Sequence, residues 1–216
     1  MITEQSAQFY AKSAANHDRV YDKPERQHDL AEMRTQVAEI LRGHVVLELA
    51  CGTGYWTRII ADSADSVVAT DINPEMLALA KLRALPADKV QFRVADAYAL
   101  PDDLGRFTAV FIGFWWSHLK REEQERFVAQ LRGKFGKDVL LVLLDEVYVE
   151  GSSETVARTD LEGNTYQIRT APDNERYEIR KNYPSDSTLR KKLASCAREI
   201  KIVRIYHYWL LTCRLR

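Results

Sequence analysis

The sequence predicts an α/β chain built on a doubly wound, mostly parallel sheet, and three observations carry that expectation. From residue 45 onward, short apolar runs alternate with helical patterns at the spacing of βαβ units. The first run breaks into Cys51-Gly52-Thr53-Gly54 just before a helix, the turn chemistry of a strand feeding a helix. The second, third and fifth runs lead into Asp71, Asp96 and Asp145, which places acids where such a sheet binds ligands. With one domain per roughly 150 residues as the prior, a chain of 216 residues is read as a single domain, 1–216.

Residues 1–43 read as helical. The stretch 9–21 suits a separate short helix. Pro24 suits a first helical turn, Leu30, Met33, Val37 and Leu41 recur on one face, and Gly43 is a good stop. The core follows over 44–145, with strands at 45–50, 67–71, 90–94, 107–114 and 139–144. Helices over 55–61, 74–85 and 121–131 lie between them, the second opened by Asn73-Pro74. The alternation stops at 146–184, a polar segment with β-like runs at 165–170 and 176–181 around the turn Ala171-Pro172-Asp173-Asn174. This reads as a β-hairpin insertion after strand five. In the remainder, 185–216, Ser185 caps a helix to about 197, and 200–206 with 208–215 form an antiparallel pair at the sheet edge.

Lys+Arg and Asp+Glu are both 31, so the net charge is zero, without the global basic excess of a nucleic-acid domain or a charge-based attraction to anionic membranes. No apolar run approaches the ~20 residues of a membrane helix. The start, Met-Ile-Thr-Glu-Gln-Ser, shows no export signal, and Cys51, Cys196 and Cys213 lack metal or redox spacing. These features fit free thiols in the cytoplasm.

The strand ends suggest a nucleoside cofactor. Gly52 and Gly54 let backbone pass close to a ligand, Asp71 can accept from both ribose hydroxyls, and Asp96-Ala97-Tyr98 suits an exocyclic amine beside an aromatic shelf. A dinucleotide fits poorly: Thr57 stands where a third glycine is usual, and Glu48 would repel a pyrophosphate. A cofactor carrying an ammonium and a sulfonium would welcome that carboxylate. The pattern favours S-adenosylmethionine.

The run Val46-Leu47-Glu48-Leu49-Ala50-Cys51-Gly52-Thr53-Gly54, continued through Asp71, Asp96-Ala97 and the fourth-strand segment 107–114, resembles the signature of class I S-adenosylmethionine-dependent methyltransferases of small-molecule type. The resemblance implies a Rossmann-like, seven-stranded sheet with an antiparallel last strand and an N-terminal helical lid. It places Ala50, Gly52 and Gly54 under the methionine moiety with Glu48 nearby, Asp71 on the ribose, Ile72 and Met76 beside the adenine, Asp96 and Ala97 at its amine, and Phe114 beside the methyl group. The acid that often opens the fourth strand is replaced by Thr108-Ala109.

For the acceptor, Gly113-Phe114-Trp115-Trp116-Ser117-His118 follows strand four, and His118 is the candidate base, against a simple capping role. Trp115 and Trp116 can stack on a flat acceptor or enclose a sulfonium, or one can be core. Asp145, Tyr148, Tyr10 and Tyr21 are further acceptor-side candidates, while the remaining histidines, 17, 28, 44 and 207, read as surface or turn residues. The two-proline motif of DNA amino-methyltransferases and a Pro-Cys nucleophile are absent. Glu122-Glu123 falls in a helix, and Asp145 alone suits a metal, so no metal is expected. The expectation is methyl transfer to O or N of a small, planar metabolite, without nucleic-acid or membrane partners; a homodimer contact through the insertion stays open. A nicotinamide-dependent reductase and a non-catalytic binding module are the alternatives.

Overall fold

The computed structural model describes residues 4–216. Residues 1–3 of the expected lid, with part of the stretch read as lacking an export signal, lie outside the described residues. The chain opens with α1 (Glu4–Ser13), a 3-10 segment Ala14–Tyr21, and a 3-10 turn Pro24–Arg26 that runs into α2 (Gln27–Ile40). Strand–helix alternation then gives β1 (Val45–Leu49), α3 (Tyr55–Ala61), β2 (Ser66–Asp71), α4 (Pro74–Lys81), β3 (Val90–Val94), β4 (Ala109–Gly113), α5 (Gln124–Phe135) and β5 (Leu140–Glu146). The insertion supplies β6 (Arg158–Thr159), β7 (Thr165–Thr170) and β8 (Arg176–Arg180), and the chain closes with α6 (Asp186–Leu193), β9 (Ala197–Arg204) and β10 (Tyr208–Leu215).

The main sheet has seven strands in the order β3-β2-β1-β4-β5-β10-β9. β1 pairs in parallel with both β2 and β4, so the strand order reverses there and a crevice opens beyond the strand ends. β10 runs antiparallel to β5, as expected. Alternation along β1 builds both layers: Leu47 and Leu49 face Phe127, Trp209, Leu189 and Leu193 under α5 and α6. Val46 faces Leu30, Met33, Trp56 and Ile60 of α2 and α3.

The boundaries differ where backbone chemistry overrides the apolar pattern. α4 stops at Lys81 rather than 85: Ala84 takes a positive φ of 50°, and Pro86 disfavours helical geometry just before it. α5 is displaced toward the C-terminus and ends at Gly136, whose φ of 87° suits glycine. α6 is capped as expected, Thr188 N–H donating to Ser185 Oγ at 3.2 Å, but ends at Leu193, and β9 begins early, at Ala197. The insertion holds three strands rather than two, forming its own antiparallel sheet β6-β7-β8. α1 lies on that sheet through Phe9, which packs with Ala171, Tyr177 and Ile179. Two distant segments thus meet above the crevice.

Candidate active site

Beneath them lies a cavity of about 800 Å³. At one end it is lined by Glu48, Ala50, Cys51, Gly52, Asp71, Ile72, Met76, Asp96 and Ala97, all from the ends of β1, β2 and β3 and the turns that follow. The turn after β1 is unusual: Ala50 and Gly52 have φ of 54° and 56°, a conformation that exposes backbone to the cavity. The Asp71 carboxylate accepts from Gly52 N–H at 2.9 Å and Asn73 N–H at 2.8 Å, which ties the turn to β2 and aims the acid inward. Glu48 accepts from the Thr57 hydroxyl at 2.6 Å. Burial pushes its carboxyl up to about 8, although the Thr57 hydrogen bond pulls the other way.

The other end is lined by Tyr10, His17, Tyr21, Arg26, Phe114, Trp115, His118, Glu146, Arg169, Lys181 and Tyr183. Phe114 ends β4 with a φ of 58° and packs between Tyr21, Trp56 and Tyr208. His118 sits on the 3-10 turn Trp116–His118. Its Nδ1 faces the Arg180 carbonyl at 2.5 Å, which fixes the proton on Nδ1 and leaves Nε2 to accept from the Tyr10 hydroxyl at 3.0 Å. Burial, then the charges of Lys181 and Arg169, hold its pKa well below the usual histidine range, so the ring is neutral. Behind it is a buried ionic group. Lys181 reaches Asp145 at 2.9 Å and Glu146 at 3.0 Å, and Arg26 also pairs with Glu146. Burial raises the Glu146 carboxyl, but Lys181 and Arg26 outweigh it and hold the pKa at about 2.

A methyltransferase domain model matches residues 46–134, the segment holding every cofactor-side residue named above. Residues 46–134 are thus similar to methyltransferase domains, a match over less than half of the chain. Among similar solved structures, DhpI in complex with SAH is 27% identical, with a TM-score of 0.79 over 99% of this chain and 97% of DhpI. The DhpI-SAM-HEP complex gives 26% and 0.77 over the same shares. A demethylmenaquinone methyltransferase of Lactococcus lactis subsp. lactis is 36% identical over 95 residues, 41% of this chain and 38% of that protein. A protein-L-isoaspartate O-methyltransferase of Rhodopseudomonas palustris is 30% identical over 80 residues, 36% of this chain and 37% of that protein. The chain therefore matches well under half the length of these curated relatives, and their names differ in the acceptor they give.

S-adenosylmethionine fits the residues present. Gly52, Ala50 and two acids, Asp71 and Glu48, form a cradle suited to a cationic nucleoside, whose ammonium favours the ionised form of Glu48, whereas a pyrophosphate would oppose it. Five of the expected positions lie elsewhere. Gly54 does not line the cavity; a Cβ there would sit 3.0 Å from Ala80 Cβ, so it serves the approach of α3 to α4. Trp116 is fully buried in the core with Phe127 and Trp209, leaving Trp115 alone at the cavity. Asp145, expected as an acceptor-side or solvated acid, is fully buried and bound by Lys181 and Ser117 N–H. Tyr148 is 40% exposed and packs edge-on to Tyr183 outside the cavity. Tyr98, the expected aromatic shelf, packs instead on Trp115 and Phe127.

Sequence reasoning missed Lys181, Arg26, Glu146 and His17 as site residues. His17, read as a surface residue, lines the cavity with its ring T-shaped to Tyr10, and burial lowers its pKa. His207, read as a turn residue, is buried with Nδ1 2.8 Å from Asp29. The available signal for Lys181 was a charged residue ending an apolar-alternating strand run, beside Asn182 and Tyr183, in the segment expected to cover the pocket.

Proposed function

We propose that this chain transfers the methyl group of S-adenosylmethionine to an oxygen or nitrogen atom of a small molecule held between the N-terminal segment and the insertion. The observation that carries the reading is one continuous cavity running from Glu48, Asp71 and Asp96 to Tyr10, His118 and Tyr183. Bound there, the cofactor supplies an electrophilic methyl on a sulfonium. Asp71 holds the ribose, Asp96 the adenine amine, and Glu48 the ammonium end. Phe114, Tyr21 and Trp115 wall off the middle of the cavity and exclude water. His118, neutral with a lone pair on Nε2, takes the proton from an acceptor O–H or N–H that displaces the Tyr10 hydroxyl. With Trp116 in the core, only Trp115 supports a planar acceptor. A cavity of about 800 Å³ favours a metabolite over a polymer. No helix among the described residues is long and apolar enough to cross a membrane. We place the protein in the cytoplasm, in keeping with its free cysteines.

Calorimetric titration with S-adenosylmethionine, S-adenosylhomocysteine and NAD tests the cofactor assignment. The expected result is micromolar binding of the first two and none of NAD. NAD binding alone would select the reductase alternative. Binding without transfer to any acceptor in a broad panel would select the non-catalytic module.

A further inference from the structure

The two ends of the cavity have opposite electrostatic character. The cofactor end presents Glu48, Asp71 and Asp96. At the acceptor end Arg26, Lys181 and Arg169 stand against the inner pair Asp145 and Glu146, with Glu154 acting on Arg169 only at longer range. Both carboxylates are committed: Asp145 to Lys181, Glu146 to Lys181 and Arg26. Arg169 has no ion pair among the described residues. Its hydrogen bonds go to neutral groups: Nε and Nη2 donate to Gln167 Oε1 at 3.3 and 2.9 Å, and Nη1 reaches the Tyr10 hydroxyl at 3.4 Å. Glu154 lines the cavity too, but it is exposed and makes no ion pair among the described residues.

The guanidinium is also deliberately oriented. Gln167 is 1% exposed and its amide Nε2 donates to the Glu154 carbonyl and the Tyr183 hydroxyl, both at 2.8 Å, so its Oε1 is turned toward Arg169. The Tyr183 hydroxyl, accepting there, has its own proton to give. The Lys181 ammonium spends two protons on Asp145 and Glu146 and keeps a third. A cation in a cavity with no direct ion-pair partner among the described residues, reached by Glu146 and Glu154 only at longer range, is costly, and an anionic ligand against it lowers the cost.

We propose that the acceptor carries an oxyanion, and that Arg169, oriented by Gln167, binds it together with the third proton of Lys181. The inference rests on the methyl-transfer reading of the same cavity. The oxyanion is the handle. Arg169 and His118 both reach the Tyr10 hydroxyl, so the handle lies within a few bonds of the reacting atom.

The test loads the protein with S-adenosylhomocysteine and titrates inorganic phosphate or acetate at constant ionic strength, with acetamide as the neutral counterpart of acetate. Calorimetry and tryptophan fluorescence are the readouts. We expect one anion to bind and acetamide not to. Arg169→Gln should weaken that anion at least tenfold, Arg169→Lys less, with S-adenosylhomocysteine affinity and thermal unfolding unchanged in both. Preference for phosphate selects a tetrahedral oxyanion, and preference for acetate a carboxylic acid. The proposal is overturned if neither anion binds, if acetamide binds as well as acetate, or if Arg169→Gln binds the anion like the wild type. Should S-adenosylhomocysteine itself fail to bind, the methyl-transfer reading falls separately, and the anion titration of the ligand-free protein still decides the oxyanion site.

Discussion

Glu48 is a buried carboxyl whose pKa, about 8, exceeds the ordinary 4.5. In the folded, ligand-free protein it holds a proton across neutral pH, whereas the unfolded chain releases it. Stability therefore falls as pH rises from about 4.5 to 8 and is level beyond. Glu48→Gln should leave stability near pH 5 unchanged and raise it by roughly 2–4 kcal/mol at pH 9, read by urea unfolding at the two pH values. A bound ammonium favours the carboxylate, so the affinity for S-adenosylmethionine should climb with pH up to about 8 in the wild type and stay flat, and weak, in the variant. His118 runs the other way. Burial beside Lys181 and Arg169 keeps it neutral, so its ring nitrogens should not titrate between pH 6 and 8 by NMR. His118→Ala should lower kcat by about 10²–10⁴-fold with S-adenosylhomocysteine affinity unchanged. Glu48 and His118 were legible in the sequence because one precedes a glycine turn and the other follows the fourth strand. Lys181 was not, because its meaning depends on Asp145 and Glu146, which only the folded chain brings to it.

At the level of elements, the two glycines after β1 separate. Gly54→Ala combines a φ of 76° with a Cβ 3.0 Å from Ala80 Cβ, across the α3–α4 contact. It should destabilise by roughly 1–3 kcal/mol by urea unfolding while the folded fraction keeps its cofactor affinity. Gly52→Ala has more room, with His17 Nε2 the nearest neighbour at 3.5 Å, and should instead show its effect in cofactor binding. A Gly-x-Gly pattern assigns both residues to the ligand because spacing alone does not reveal which neighbour a missing Cβ admits. Trp115 and Trp116 pose the same difficulty: the single 3-10 turn after β4 sends one to the cavity and the other to the core. The contact between α1 and the insertion depends on Phe9. Its partner contact, Lys12 with Asp173 and Glu175, is largely exposed and contributes little. Phe9→Ala should therefore raise the KM for the acceptor more than Lys12→Ala, with the main unfolding transition nearly unmoved.

Across the whole molecule, strand order and both helical layers could be anticipated, because period-2 apolar runs and short loops leave few topologies open. The third strand of the insertion could not, since Arg158–Thr159 is two exposed residues with no pattern to read. The cavity's far wall depends on the Arg26–Glu146–Lys181–Asp145 group, which joins α2's entry turn, β5 and β8. Lys181→Met leaves two buried carboxylates short of a partner and should cost about 3–5 kcal/mol, seen as a lower Tm, whereas rim pairs such as Arg158–Glu178 should cost under about 1 kcal/mol.

The segment matched by the methyltransferase model, 46–134, contains Glu48, Asp71, Asp96 and His118 but none of Tyr10, His17, Arg26, Glu146, Arg169 or Lys181. On the proposed methyl-transfer reading, addressing is physically separable from the donor machinery: the delivery label lies at the two flanks and the reagent store in the middle. Exchanging residues 4–26 and 146–184 together for those of a structurally similar protein should redirect the methyl group to that protein's acceptor while the affinity for S-adenosylmethionine carries over. Exchanging one flank alone should yield a chain that binds the cofactor and recognises nothing, because α1 and the three-stranded insertion only form a surface by lying on each other.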